Sequence, residues 1–308
     1  MNLPSSAPAT APAGLQGAVP LPGWGVIRAQ GEDARSFLQG QLTQDVLHLE
    51  PGRARLAGYC SPKGRLLASF VVWVDAAGGD LLLACSADLL APTLKRLSMF
   101  VLRAKCKLSD ASAELPVHGL AGSAVAGDSP WRVTRHEGAD CIRLPDGAGV
   151  RRALWVGAAA PAAPALAAAQ WDWLEVASAV PRIVAATVEQ FVPQMVNLEL
   201  VGGVNFQKGC YPGQEVVARS QYRGTLKRRA FLFEADAPLQ PGQEVFDAVD
   251  PGQPAGMVVL TAAPEGAPAL ALVELKIAAG GADLHAGSAD GPRLRPRALP
   301  YEIPAEAA

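Results

Sequence analysis

The stretch NFQKGCYPGQEVVARSQYRG, residues 205–224, sets Cys210 in a glycine-bracketed turn two residues after Lys208. A cation close to a thiol favours the thiolate, which is the nucleophilic, metal-ligating and redox-active form of cysteine. Cys210 is therefore a candidate nucleophile, redox thiol or metal ligand, and the same pattern also suits a small residue packed into a turn. Acyl transfer would need a base as well. The four histidines, His48, His118, His136 and His285, form no Cys–His signature with it, which disfavours a cysteine protease.

Residues 205–229 carry six cations, Lys208, Arg219, Arg223, Lys227, Arg228 and Arg229, against Glu215 alone, a local balance of +5. Such a patch could hold a carboxylate or phosphate ligand or touch RNA, unless strand alternation scatters it over two faces. Asp45, in QLTQDV, could bind a ligand nitrogen or move a proton, or simply cap a helix. The six tryptophans, at 24, 73, 131, 155, 171 and 173, are flat surfaces for a heteroaromatic ligand or pieces of core. No GxxxxGK[ST] loop occurs and no GxGxxG follows a strand, so nucleotide hydrolysis and dinucleotide binding are disfavoured.

A chain of 308 residues is long enough for two or three domains. Its 50% hydrophobic and 18% charged residues suit a folded protein, and a net charge of −2 argues against a general nucleic-acid coat. The five cysteines, Cys60, Cys85, Cys106, Cys141 and Cys210, are odd in number, widely spaced and free of CxxC pairs. Reduced thiols fit this better than a disulfide scaffold, a zinc knuckle or an iron–sulfur site, so no metal centre is expected. Residues 1–22, rich in Ala and Pro, read as a disordered leader rather than a signal peptide. No apolar run is long and unbroken enough to span a membrane, and 157–171 reads as a short surface helix. A soluble, cytoplasmic protein is expected.

The elements that must position these residues follow from periodicity. GWGVIRAQG (23–31) alternates like a strand, and EDARSFLQGQLTQDV (32–46) has helical spacing, with Ala34, Phe37 and Leu38 on one face. RARLAGYCS, a PKG turn and RLLASFVVWVD read as a hairpin. DLLLACS is a strand and 87–102 an amphipathic helix, closing an α+β unit over 23–115. A second α+β unit, 116–229, carries strands near CIRL and RRALWVG and then the Cys210 loop. From 230 to 303, short strands between Pro/Gly turns predict a small antiparallel barrel.

The residues PQMVNLELVGGVNFQKGCYPGQEVVAR (193–219) closely resemble the KGCYxGQE signature of the YgfZ family, relatives of the glycine-cleavage T-protein, an aminomethyltransferase. Lys208, Gly209, Cys210, Tyr211, Gly213, Gln214 and Glu215 all match. FLQGQLTQDV (37–46), YRGTLKRR (222–229) and LPYEI (299–303) extend the resemblance over nearly the whole chain.

The resemblance implies an α+β, T-protein-like ring of three domains, with a tetrahydrofolate site in a central channel. It implies a folate-binding accessory protein without classical enzymatic activity, serving iron–sulfur client enzymes that include tRNA-methylthiolating ones, and so an indirect link to tRNA. The signature cysteine's importance falls on Cys210, and folate-linked tryptophans match Trp24 and Trp171. Where relatives carry a folate-contacting glutamate in EAG, this chain has Ala177. Glu175 lies two residues earlier and, in a strand, would face the same side. Asp45 falls at the place of the T-protein's catalytic aspartate, which keeps a tetrahydrofolate-dependent aminomethyl- or methyltransferase in view. A tRNA-binding module using the basic stretch is the third alternative.

Overall fold

Apolar strand runs dominate the chain and resolve into three antiparallel sheets. The computed structural model describes residues 7–76, 78–222, 226–279 and 281–304. In chain order the elements are β1 (Gly17–Pro20), β2 (Trp24–Gln30), α1 (Ala34–Gln39), β3 (Ala54–Cys60), β4 (Leu66–Val74), β5 (Leu81–Ser86) and α2 (Ala87–Ser98). These are followed by β6 (Lys107–Asp110), β7 (Val117–Ala121), β8 (Val133–His136), β9 (Ala139–Gly147), β10 (Val150–Val156), α3 (Ala168–Ala177) and α4 (Gln214–Tyr222). The last six strands are β11 (Arg228–Ala235), β12 (Glu244–Asp247), β13 (Gly256–Ala262), β14 (Ala269–Lys276), β15 (Leu284–Ala286) and β16 (Leu294–Arg297).

The sheet orders are β3-β4-β5-β2-β6, β1-β7-β10-β9-β8 and β15-β12-β13-β14-β11-β16. Strand β4 shows why its sequence is apolar but for Ser69. Ala68, Phe70, Val72 and Val74 face the core under α1 and α2. Val71 and Trp73 face the opposite way, into a core shared with Trp171 of α3 and Leu232 of β11. A strand covered on both faces has no need of polar alternation. Trp73 also ties two sheets together, its Nε1 donating to Asp140 Oδ2 of β9 at 2.9 Å. The last sheet forms a half-barrel, with its edges brought together by a bridge between His285 and Arg293.

Four expectations are corrected. The leader is ordered where described from residue 7. Gly17–Pro20 pair with β7, and the Thr10 amide donates to Glu234 Oε1 at 2.9 Å. The helix expected over 32–46 stops at Gln39. Beyond Gly40, Thr43 turns inward, donating to the Gly203 carbonyl at 2.6 Å and accepting from the Gly58 amide at 2.7 Å. The Ala-rich segment 157–167 is not helical. Pro161 and Pro164 lack N–H donors, and the segment instead runs beside β1, with the Ala18 amide donating to the Pro164 carbonyl at 2.7 Å. Finally, Glu175 lies on helix α3 rather than a strand, so it and residue 177 point about 160° apart.

Candidate functional site

The Cys210 loop is built on polar side chains and a close backbone approach. Asn205 Oδ1 accepts from the amides of Gln207 at 2.8 Å and Lys208 at 3.1 Å, fixing the turn. Gly213, at φ +77°, then seats the loop against the β3–β4 turn. A Cβ there would lie 2.4 Å from the Ser61 carbonyl oxygen and 2.6 Å from Gly64 Cα, so only glycine fits. Helix α4 starts at the next residue, and the buried Gln194 donates to its Val217 carbonyl at 2.8 Å. Tyr211 packs beneath the loop, buried, and burial raises its phenol pKa.

Lys208 turns inward from this loop to the segment after α1. Its Nζ donates to the Leu42 carbonyl at 2.6 Å and to the Gln39 carbonyl, and it lies 5.1 Å from the Tyr211 ring centroid. Burial pushes the ammonium pKa down to about 8, opposed by the charges of Asp45 and Cys210. Lys208 thus ties the loop to the segment that leads to Asp45, across 166 residues of chain from Leu42. Burial acts to raise the Asp45 carboxyl, but hydrogen bonds from His48 and the Arg55 charge outweigh it and hold the pKa below its ordinary value. His48 Nδ1 lies 2.9 Å from Asp45 Oδ2, and Arg55 Nη1 lies 3.5 Å from the same oxygen.

Cys210 is exposed, whereas Cys60, Cys85 and Cys141 are buried and Cys106 is half-buried. Burial pushes the thiols of Cys60 and Cys85 up to about 12 and that of Cys141 up to about 11, which keeps them protonated and unreactive. Accessibility therefore singles out Cys210.

A second feature is a narrow cleft between β2, β4 and the end of α3. Trp24, Trp131, Glu175, Arg152 and Arg182 supply its rings and charges. Arg182 forks onto Glu175, with Nε to Oε1 at 2.7 Å and Nη2 to Oε2 at 2.8 Å. Its Cζ lies 4.9 Å from the Trp24 ring centroid. Burial favours the protonated Glu175, but the Arg182 charge outweighs it and holds the carboxyl below its ordinary value. Burial pushes the Arg152 guanidinium down to about 10, opposed by Glu175.

The structure brings Trp24 and Glu175 to one cleft but leaves Trp171 behind its wall. Trp171 is fully buried against Gly119, and Arg152 Cζ lies 5.8 Å from its ring. Trp131 lines the cleft in its place and adopts φ +65°, unusual for a bulky residue. Arg182 was not among the sequence candidates; the only signal for it is its place seven residues after Glu175, just past the end of α3.

The single basic patch is corrected. Arg229 is buried, donating to the Glu199 carboxylate and to the Gln194 carbonyl at 3.1 Å. Arg228 forks onto the buried Glu274, with Nη2 at 2.9 Å from Oε2. Arg219 pairs with Glu215 at 2.7 Å, one turn apart on α4. Lys227 is exposed, and Arg223 lies outside the described residues. Strand alternation and carboxylate pairing divide these charges among separate places.

Among the described residues the fold is three antiparallel sheets with four α-helices, a loop seated on the β3–β4 turn and a carboxylate after α1. The structure is similar to that of glycine cleavage system aminomethyltransferase T from Bartonella henselae, with a TM-score of 0.70 over 93% of this chain and 86% of that one. At 15% identity this likeness is one of fold. No family model matches the chain. Among curated proteins it is 34% identical over 233 residues to the tRNA-modifying protein YgfZ of Vibrio vulnificus, covering 70% of each chain. It is 33% identical to the protein of that name from Photobacterium profundum, covering 72% of this chain and 70% of that one. The same identity holds for the Edwardsiella ictaluri protein, with 72% of each covered. The chain belongs to the YgfZ family. Among the described residues, no helix is long and apolar enough to cross a membrane.

Proposed function

We propose that this protein is a cytoplasmic, folate-binding accessory factor for the synthesis or repair of iron–sulfur clusters in selected enzymes, including tRNA-methylthiolating ones. Cys210 is its working thiol. The observation that carries this reading is the exposure of Cys210, alone among the five cysteines, on a loop whose Lys208 is anchored by the Gln39 and Leu42 carbonyls. The relatives' name as tRNA-modifying proteins supports the link to tRNA through the client enzymes.

In this reading the chain forms a T-protein-like ring of three domains, 23–115, 116–229 and 230–303, the last a small barrel. The cleft's residues fit tetrahydrofolate in kind: indole faces at Trp24 and Trp131 for a flat ring, the Glu175 carboxylate for ring N–H donors, and arginines for an anionic tail. Tetrahydrofolate supplies a carrier for one-carbon groups when bound. The protein's own part is to orient that ring, while Lys208 holds the loop through the carbonyls of Gln39 and Leu42 and keeps a positive charge near Cys210. A lone thiol is an incomplete ligand set, so any cluster passing over Cys210 draws further ligands from the client or from small thiols.

The test is complementation of a knockout strain by Cys210→Ala, reading methylthiolation of tRNA. The variant is expected to fold and to give no rescue; full rescue would end the thiol assignment. A second reading, a tetrahydrofolate-dependent aminomethyl- or methyltransferase, is favoured by the ionised Asp45 held by His48 and Arg55. Methylated or methylene folate formed from an aminomethyl or methyl donor, and lost in Asp45→Asn, would establish it instead.

A further inference from the structure

Arg182 occupies both the indole face of Trp24 and the carboxylate of Glu175. Its guanidinium lies over Trp24 at 4.9 Å, and it donates two parallel hydrogen bonds to Glu175 at 2.7 and 2.8 Å. Its third nitrogen, Nη1, donates to Ser86 Oγ at 2.9 Å. Glu175 is buried, and nothing else among the described residues donates to its carboxylate oxygens in these hydrogen bonds. The cavity left in the cleft is about 20 Å³, room for one or two waters. The Trp24 face that Arg182 covers is closed to a ring until this side chain moves.

A guanidinium is a planar N–C–N unit with donors on one edge. The edge of a 2-amino-4-oxopyrimidine ring, as in pterins and guanine, presents the same N–C–N donor pair. A carboxylate accepts either as a two-pronged fork, and an indole face accepts either as a stacking partner. We propose that Arg182 is a resident mimic of the ligand: a 2-amino-4-oxopyrimidine ring binds by displacing its guanidinium from Trp24 and taking over the Glu175 carboxylate. This rests on the folate reading and adds to it the edge that is recognised and the group that must leave. Glu175 is then the specificity-determining residue, supplied from α3 in a chain whose residue 177 is alanine. Arg182 is the competitor that lowers apparent affinity in proportion to the time it occupies the site. The exchange conserves charge pairing, because the ejected guanidinium can meet an anionic tail on the ligand.

The experiment is calorimetric titration of the full chain with 5-formyltetrahydrofolate, comparing wild type with Arg182→Met and Arg182→Lys. Thermal melting reports whether each variant folds. Arg182→Lys keeps the positive charge near Glu175 but cannot fork, so it remains informative if Arg182→Met fails to fold. About tenfold tighter binding by Arg182→Lys is expected, with that gain lost in Arg182→Lys/Glu175→Gln. Wild-type binding with no gain in Arg182→Lys would overturn the mimic and leave the folate reading standing. Absence of binding by wild type and both variants would overturn both. The edge is tested on Arg182→Lys with guanosine and inosine, which differ by the 2-amino group. Preference for guanosine supports the fork, and equal binding overturns it.

Discussion

Gly213 and Ser61 approach so closely that a Cβ on the glycine would lie 2.4 Å from the serine carbonyl oxygen. This contact seats the Cys210 loop on the β3–β4 turn, and the glycine's φ of +77° reinforces the demand. Gly213→Ala is expected to undock the loop while sparing the sheets. The αL backbone alone costs about 1–2 kcal/mol with a side chain. Limited proteolysis should cut near residue 210 in the variant and spare the wild type, with little change in far-ultraviolet circular dichroism.

Thiol burial predicts a graded reaction with a disulfide reagent. In the native protein Cys210 reacts first and the half-buried Cys106 slowly, while Cys60, Cys85 and Cys141 react only on unfolding. Cys210→Ala should abolish the fast phase alone. A fast phase that persists would show that another thiol is accessible.

Lys208 gives a pH signature. Its folded pKa, about 8, lies below the ordinary 10.5, so between these values the unfolded chain binds a proton that the folded protein has released. Stability therefore rises with pH across that window, and the cost of holding the ammonium in place is fully present below pH 8. Urea unfolding at about pH 7.5, about pH 9 and about pH 10 should show this rise in wild type and its loss in Lys208→Met. Parallel curves for the two proteins would refute the assignment.

The Arg182–Glu175 pair should behave as a unit. Removing one partner leaves a buried charge uncompensated, so Glu175→Gln is expected to destabilise by about 3–5 kcal/mol. The double variant Glu175→Gln/Arg182→Met should lose less than the sum of the single losses. Denaturant titrations of the four proteins measure that coupling directly.

Ala179, buried and at φ +50°, is a site of backbone strain just after α3. Ala179→Gly should stabilise by up to about 1 kcal/mol, the αL relief less the glycine entropy cost. A lower melting temperature would show that the methyl's packing outweighs the strain.

The Cys210 loop was legible as a glycine-bracketed turn with a lysine beside a thiol, whereas the helix that starts after Gly213 and the close approach of that glycine to Ser61 were not. The strands around Leu56, Val72 and Leu83 were legible from continuous apolar runs. Other features depend on distant partners. Gly17–Pro20 becomes a strand because residues 117–121 offer an edge, which Ala/Pro composition cannot reveal. The helical pattern of 32–46 breaks off because Thr43 is drawn inward to hydrogen-bond Gly203 and Gly58 together. Arg228 and Arg229 looked like surface charge until Glu274 and Glu199 were found opposite them. Arg182 joined the cleft only once α3 ended and the chain turned back over Trp24.

Strand β1 and the residues before it bear on how the chain assembles during synthesis. Ala18 must await Leu120 to complete its sheet, and Thr10 must await Glu234. A stretch made ahead of both partners is thus slow to find its place. Until then the edge of β7 stays open, a natural landing site for a chaperone or a misplaced strand.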